Sequence, residues 1–181
     1  MPARQRYVAL LRGINLGARN KLAMADLRAL VEAVGAEDVD TYLQSGNVVF
    51  ETAAAAGGLE PELADAIRQA HGLDVAVLVR SAAELDAIVK KNPFLQAGAD
   101  EKSLHVTFLA ARPKEALVKA LDPTSSPPDE LRVAGREVYL LCPNGYGRSK
   151  LSNAFFEKRL DVVATTRNWR TVRTLAELAA S

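Results

Sequence analysis

Cationic and amide side chains gather in the loops between predicted strands and helices, where they are suited to bind an anion. The first such loop contains Arg12, Asn15, Arg19 and Lys21 together with two glycines. Glycines permit an exposed backbone, and cations close to a helix N-terminus favour phosphate or carboxylate. We predict an anion contact here, with a structural turn that carries solvated charges as an equal alternative.

Gln44, Ser45 and Asn47 form a second polar group where two predicted strands meet. Ser45 and Gly46 are sufficient for a tight two-residue hairpin, which is the simpler interpretation. Gln44 and Asn47 can still present amide donors at the end of the sheet. Neither GxGxxG nor GxxxxGK followed by Ser or Thr occurs in the sequence, so neither of these nucleotide-binding loops is predicted.

A third loop places Tyr146, Arg148 and Lys150 between a strand and a helix, again with glycines. Backbone N–H groups, the Ser149 hydroxyl and the two cations can converge on a phosphate. Ser149 is equally suited to cap the following helix, which is the alternative without a ligand.

Arg167 and Asn168 precede the last predicted helix, and we predict both as ligand contacts. Asn168 or Thr166 is also suited to cap that helix. Trp169 shares a helical face with Leu175, so it is predicted as a core anchor rather than a stacking platform for a base.

The charges are segregated along the chain, although the net charge is only +1. Residues 1–28 contain six basic residues and one acidic residue, and residues 146–173 contain seven and two. Residues 29–145 contain ten basic and eighteen acidic residues. We therefore predict a focused positive surface formed by the two ends, with scatter over solvated faces as the alternative.

Several classes of protein are disfavoured by composition. No apolar run approaches the roughly 18 to 20 residues of a membrane span, and no signal-peptide pattern is evident, so we expect no membrane association. A single cysteine, Cys142, fits a cytoplasmic protein without disulfides. Two widely spaced histidines, His71 and His105, do not form a metal-binding pattern, so no metal and no cofactor are predicted. The sequence gives no indication of an oligomeric state.

The order of predicted elements positions these loops. Residues 1–80 follow the order βαββαβ, and residues 102–181 repeat it with one additional C-terminal helix. A helix and a loop at 81–101 connect the two halves. We therefore predict an α/β (α+β) protein of two ferredoxin-like plaits in tandem, which is an internal duplication inferred from element order.

Several segments together resemble the bacterial domain-of-unknown-function 1697 family. These segments are Leu10–Asn15, Tyr42–Phe50, Arg148–Lys150, Phe155–Lys158 and Thr166–Trp169. The resemblance extends over nearly the whole chain and implies a duplicated α/β plait, but it implies no reaction. Ala18 and Arg170 depart from the family pattern, and the first departure affects the expected shape of the first loop.

These observations lead to one main hypothesis and two alternatives. The main hypothesis is that the basic ends bind an anionic ligand, either a nucleic-acid backbone or a phosphorylated molecule. The first alternative is a small-molecule enzyme that acts on a phosphorylated or carboxylated substrate. Its candidate residues are Glu157 as acid or base, Lys150 or Lys158 and Arg167 as anion clamps, and Ser45 or Tyr42 as hydroxyl donors. The second is an interaction or assembly module that takes no ligand.

Overall fold

The computed structural model describes residues 2–181, which form two compact units. The first unit extends to Ala87 and includes Thr174–Ser181 from the end of the chain, and the second unit is Ile88–Arg173. The division falls inside the predicted connecting helix. The finer assignment of 1–80, 81–101 and 102–181 stays a prediction.

The first unit has a four-stranded sheet and two helices on one of its faces. In chain order its elements are β1 (Gln5–Leu11), α1 (Met24–Ala33), β2 (Glu37–Thr41), β3 (Asn47–Thr52), α2 (Ala56–His71), β4 (Val77–Ser81) and α3 (Ala82–Lys90), which extends past the unit boundary. The strand order is β2-β3-β1-β4, and all neighbours are antiparallel.

The second unit repeats this plan. Its elements are α4 (Pro93–Gln96), β5 (Leu104–Leu109), α5 (Glu115–Lys119), β6 (Glu130–Ala134), β7 (Glu137–Leu141), α6 (Asn153–Leu160), β8 (Ala164–Asn168) and the start of α7 (Trp169–Ala180), whose residues from Thr174 onward belong to the first unit. Short 3-10 turns lie at Glu101–Ser103 and Tyr146–Arg148. The strand order β6-β7-β5-β8 matches that of the first sheet, again with antiparallel neighbours. This order is that of a split βαβ plait, so the predicted duplication of plaits is confirmed.

The alternation of side chains along each strand gives every sheet a helix-covered face. In the first unit Tyr7, Ala9 and Leu11 alternate along β1 and pack into a core with Leu27 and Val31 of α1. Positions two apart in a strand share a face, and positions four apart in a helix do too, which explains this core. In the second unit Leu109, Val138 and Leu140 pack with Phe156 and Leu160 of α6 in the same way.

The turn between β2 and β3 is wider than predicted. The strands end at Thr41 and begin again at Asn47, so five residues and not two connect them. Leu43 and Gly46 both have positive φ values, of 60° and 85°. The buried Asn47 amide holds the loop closed by donating to the carbonyl of Tyr42 at 2.8 Å. A side chain therefore stabilises a loop that the sequence suggested as a two-residue turn.

The segment that contains Arg167 is a strand and not the opening of a helix. β8 begins at Ala164 and continues to Asn168, so Arg167 lies within the strand. Consecutive β-branched threonines favour this extension, and pairing with β5 determines it. The helix then begins at Trp169, which is buried as predicted, and Asn168 caps it by accepting from the Thr171 amide at 2.9 Å.

Candidate functional site

The first unit brings two predicted site loops together at the C-terminal end of β1. Asn15 makes the connection, since its Nδ2 donates to the Gln44 carbonyl at 2.7 Å and to the Leu22 carbonyl at 2.9 Å. Its Oδ1 accepts from the Leu22 amide at 2.8 Å. Asn15 therefore holds the loop around residues 13–22 against the loop of residues 42–46, and its polar atoms are used in doing so. We call these two segments the first loop cluster.

Close backbone packing fixes the first loop cluster further. A Cβ atom on Gly46 would lie 2.7 Å from Ile14 Cδ1 and 2.8 Å from Leu11 Cβ. Only glycine leaves room for this approach at a φ of 85°. Asn47 adds a bond from its Nδ2 to Ser45 Oγ at 2.9 Å. The predicted amide donor Asn47 is thus a buried structural residue.

The exposed surface of the first loop cluster is cationic. Arg19, Lys21 and Gln44 are exposed, and Arg12 is half-buried. Within residues 2–181 the structure shows no ion pair for Arg19 or Lys21. The following helix α1 begins after Ala23 without a side-chain cap, so its first amide groups are open to solvent. These groups could contact an anion.

In the second unit the loop that contains Arg148 is anchored through Tyr146. The Tyr146 ring stacks on His105 with ring centroids 4.9 Å apart and planes 25° from parallel. A left-handed Gly145, with φ of 90°, precedes the short turn that begins at Tyr146. Arg148 and Lys150 are exposed, and the structure shows no ion pair for either of them within the described chain. The turn therefore presents two cations from a fixed support.

A hydrogen-bonded group of polar side chains lies next to Tyr146 on the helix-covered face of the second sheet. Thr166 Oγ1 donates to Asn153 Oδ1 at 2.7 Å, and the Thr107 and Thr166 hydroxyls are 2.7 Å apart. Because the single Thr166 proton is used on Asn153, the Thr107 hydroxyl is the donor in that second bond. We call Thr107, Thr166, Asn153, Tyr146 and His105 the polar cluster.

Burial keeps both titratable members of the polar cluster neutral near pH 7. It lowers the pKa of His105 from 6.5, against the effect of a hydrogen bond with the Ser103 backbone. It also raises the pKa of Tyr146. The cluster is therefore an uncharged polar group beside the loop that carries Arg148 and Lys150.

Arg167 does not belong to this surface. It alternates with Thr166 along β8, so it lies on the opposite face of the sheet, and it is only 7% exposed. Its Nη1 donates to Thr165 Oγ1 at 2.7 Å and to the Thr166 carbonyl at 3.1 Å. Burial lowers the pKa of Arg167 to about 10. Asn168, in contrast, is exposed next to it.

Ser149 and Glu157 have roles that differ from the predicted ones. Ser152, not Ser149, caps α6 by accepting from the Phe155 amide at 3.2 Å, while Ser149 accepts from Leu151 before the helix. Glu157, the acid or base of the enzyme alternative, accepts from the Ala164 amide at 3.1 Å. Through this bond Glu157 has a structural role at the edge of the sheet.

Sequence reasoning did not identify four members of the polar cluster as site residues. His105 and Thr107 are two apart on one strand, which places them on one face, and Thr166 pairs directly with Thr107. The spacing of His105 and Thr107 in the sequence could therefore have shown that the two side chains share a face of the sheet. Asn153 could not be found in that way, because its contact with Thr166 depends on how α6 packs.

Charge divides by unit as well as by segment. The second unit contains fifteen lysines and arginines against nine aspartates and glutamates, and the first contains eight against thirteen. The second unit is therefore the basic one, with a net charge of +6, and the first is acidic, with −5. The cations of the first loop cluster belong to an acidic unit.

The structure contains neither of two other features that would indicate function. Within residues 2–181 no group of three or more His, Cys, Asp or Glu side chains is arranged to hold a metal ion. None of the helices described for this chain has both the length and the apolar character needed to cross a membrane.

A tandem pair of split βαβ plaits with cationic loops defines the class of this protein. The chain belongs to DUF1697, a family of proteins of unknown function, whose model matches residues 4–139. Its fold is similar to that of the conserved bacterial protein SP0830 from Streptococcus pneumoniae, with a TM-score of 0.74 and 22% sequence identity over 98% of this chain and 99% of that one. No curated protein matches the chain.

Proposed function

We propose that the protein binds an anionic ligand, a nucleic-acid backbone or a phosphorylated molecule, with Arg148 and Lys150 as its principal contacts. Tyr146 and Asn168 provide neighbouring polar groups. Arg19 and Lys21 of the first loop cluster are further exposed cations that suit the same chemistry. The single cysteine is consistent with a cytoplasmic setting for this function.

The division of charge between the units is the observation that carries the proposal. A unit with six more cations than anions attracts an anion over its whole surface, and the attraction adds to that of the local side chains. Arg148 and Lys150 belong to this unit and have no internal ion pair in the described chain. An anion therefore does not have to displace an internal carboxylate to reach them.

The anchoring of the loop supports the same proposal. Stacking of Tyr146 on His105, and backbone bonds within the turn from the Arg148 amide to Gly145 and from the Ser149 amide to Tyr146, fix the backbone from which Arg148 projects. A loop that is already ordered loses less conformational entropy when it binds. A flexible lysine-rich tail would lack this advantage.

A nucleic acid would be bound through its backbone rather than its bases. The aromatic residues on the central strands of the second sheet, Phe108 and Tyr139, are 0% and 4% exposed, so they offer no stacking surface. Tyr146 already stacks on His105. Binding should therefore depend steeply on salt, with a slope of about −2 in log K against log salt for two phosphate contacts.

A second candidate function is that of an enzyme acting on a small phosphorylated or carboxylated substrate. The observation that favours it is the neutral pair of His105 on β5 and Tyr146 on the loop with two cations, since such groups can orient the hydroxyls of a small molecule. Glu157 is less suited than expected, because its carboxylate is bonded to the Ala164 amide.

A thermal-shift screen tests the proposed function. Purified protein is melted with nucleotides, sugar phosphates, short oligonucleotides and uncharged controls at low and high salt. A ligand at 100 times its Kd should stabilise the protein by about 2.7 kcal/mol. A salt-sensitive shift with oligonucleotides supports nucleic-acid binding, and a shift with one small phosphate favours the small-molecule function. A cooperative melt that no anion changes would refute both.

A further inference from the structure

Two exposed leucines lie on the first loop cluster. Within residues 2–181 three large apolar side chains are exposed, and Leu16 and Leu43 are two of them, at 65% and 53%. The hydrogen bond from Asn15 Nδ2 to the Gln44 carbonyl joins the two loops beside these leucines, since each leucine adjoins one of the bonded residues. Two apolar side chains are therefore held on neighbouring loops and are open to solvent there.

The backbone of Leu43 has a conformation that leucine rarely adopts. Its φ of 60° is left-handed, where the Cβ atom of an L residue is crowded and glycine or asparagine is the usual choice. Burial of the side chain does not offset this cost, because the side chain is exposed. Residues held in such conformations cluster at positions that contact ligands or partners, which indicates a contact role for Leu43.

The charged side chains of the first loop cluster are all cations. Residues 13–22 and 42–46 contain Arg19 and Lys21 and no aspartate or glutamate. Both cations are exposed, and neither has an ion pair within the described chain. The two loops therefore present a cationic and partly apolar surface, although the unit that contains them has a net charge of −5. We call Leu16, Leu43, Arg19 and Lys21 the leucine surface.

The main chain of these loops offers little to an added strand. The backbone N–H groups of Asn15, Arg19 and Tyr42 all donate to carbonyl groups within or beside the same loops, at 2.9 to 3.1 Å. An extended segment binds largely through main-chain bonds, whereas a helix satisfies its own and needs only side-chain contacts. The leucine surface is therefore suited to a helix rather than to a strand.

We propose that an amphipathic helix of a partner protein, with acidic residues beside its apolar stripe, binds the leucine surface. The apolar stripe covers Leu16 and Leu43, and the acidic residues pair with Arg19 and Lys21. Large apolar side chains exposed together and bordered by polar residues are typical of such interaction sites. The principal contacts of the proposed function belong to the second unit, so either idea can fail without the other.

Two other occupants fit the leucine surface less well. A second copy of this chain that presented the same surface would bring like charges together across the two-fold axis. An anionic membrane is much wider than two loops, so it would also face other parts of a unit whose net charge is −5. A helix with acidic residues can contact the cationic loops alone, so charge complementarity favours it.

The test uses two fluorescein-labelled peptides of eighteen residues, whose leucines form one stripe of a helix. One peptide has glutamate beside the stripe and the other has lysine, with alanine at the remaining positions. Binding to the full-length protein is measured by fluorescence anisotropy. The decisive variant is Leu43→Asn, which should fold at least as stably as the parent because asparagine tolerates a left-handed φ. The matched control is Val163→Asn, which changes an exposed large apolar side chain of the second unit.

We expect the glutamate peptide to bind and the lysine peptide to bind at least tenfold more weakly. Leu43→Asn and Leu16→Ser should each weaken binding of the glutamate peptide at least fivefold, and Val163→Asn less than twofold. The protein should not sediment with phosphatidylglycerol vesicles. Binding of neither peptide, equal binding of both, or binding that neither leucine variant weakens would overturn the proposal. Sedimentation with the vesicles that Leu43→Asn abolishes would overturn it too, in favour of a membrane.

Discussion

Arg80 and Arg167 occupy the same position in the two sheets. Arg80 of β4 pairs with Val8, and Arg167 of β8 pairs with Val106. Each donates from Nη1 to the carbonyl of the residue before it at 3.1 Å, and each is nearly fully buried. In both units the residue that follows caps a helix. The duplication therefore extends beyond strand order to a repeated buried guanidinium.

This equivalence predicts that both arginines are structural. Arg80→Ala and Arg167→Ala should each lower the free energy of unfolding by about 2–4 kcal/mol, because each leaves a cavity and removes a buried hydrogen-bond donor. Urea denaturation of the purified variants measures this effect. Arg68→Ala, which removes an exposed ion pair with Asp65, is the control and should change stability by about 0.5 kcal/mol or less.

One result would instead support Arg167 as a ligand contact. If Arg167→Ala kept full stability while the affinity for an anion fell, its guanidinium would have to act as a ligand contact despite its burial.

Gly46 provides a test of the first loop cluster. Gly46→Ala should lower stability by about 2–4 kcal/mol, because the new Cβ would meet Ile14 and Leu11 at a positive φ. Gly17→Ala is the matched control, since Gly17 also has a positive φ, of 59°, but open space around it. It should lower stability by about 1 kcal/mol from backbone strain alone.

Thermal or urea unfolding separates the two glycine variants. Equal losses for Gly46→Ala and Gly17→Ala would show that the close approach of the two loops contributes nothing to stability.

The buried His105 should make the protein sensitive to mild acid. Because its pKa is lowered in the folded state, the unfolded state binds the proton first as the pH falls below 6.5. The stability contributed by neutral His105 is complete above pH 6.5 and is lost as the pH falls through the folded pKa. The difference in unfolding free energy between the parent and His105→Gln should therefore shrink from pH 7.5 to pH 5.

Two measurements check this expectation for His105. Urea unfolding of both proteins across that range gives the difference directly, and NMR titration of the imidazole should give a pKa below 6.5. A difference independent of pH, or an imidazole that titrates above 6.5, would contradict the burial of His105 against Tyr146.

Much of the fold was predictable because local patterns and tertiary packing agree. The predicted βαββαβ order of both halves is present in the structure, because apolar patterns in the sequence mark most of the strands and helices. Where local patterns and tertiary packing disagree, tertiary packing determines the structure. By local preference, a helix could begin within Thr165–Asn168. Pairing with β5 places these residues in the sheet instead.

The site was less predictable, because residue type does not show which face a side chain occupies. Arg167 has the chemistry of an anion contact but is buried by its place in β8. Asn15 and Asn47 have side-chain amides suited to an anion, but these amides donate to carbonyl groups of their own loops. Arg148 and Lys150 remain exposed as their loop position suggested. Whether such a side chain is buried or exposed depends on contacts between residues that are far apart in the sequence. Composition gives no information about these contacts.

An NMR titration with pyrophosphate and with a 12-nucleotide oligonucleotide tests the anion-binding proposal most directly. We expect shifts concentrated in residues 144–153, decreasing with salt. The double variant Arg148→Ala/Lys150→Ala should bind about tenfold more weakly, which is about 1.4 kcal/mol. Lys119→Ala, which removes an exposed lysine paired with Glu115, should bind as the parent does. Shifts scattered over the lysines of both units, or equal binding by the double variant, would contradict the account.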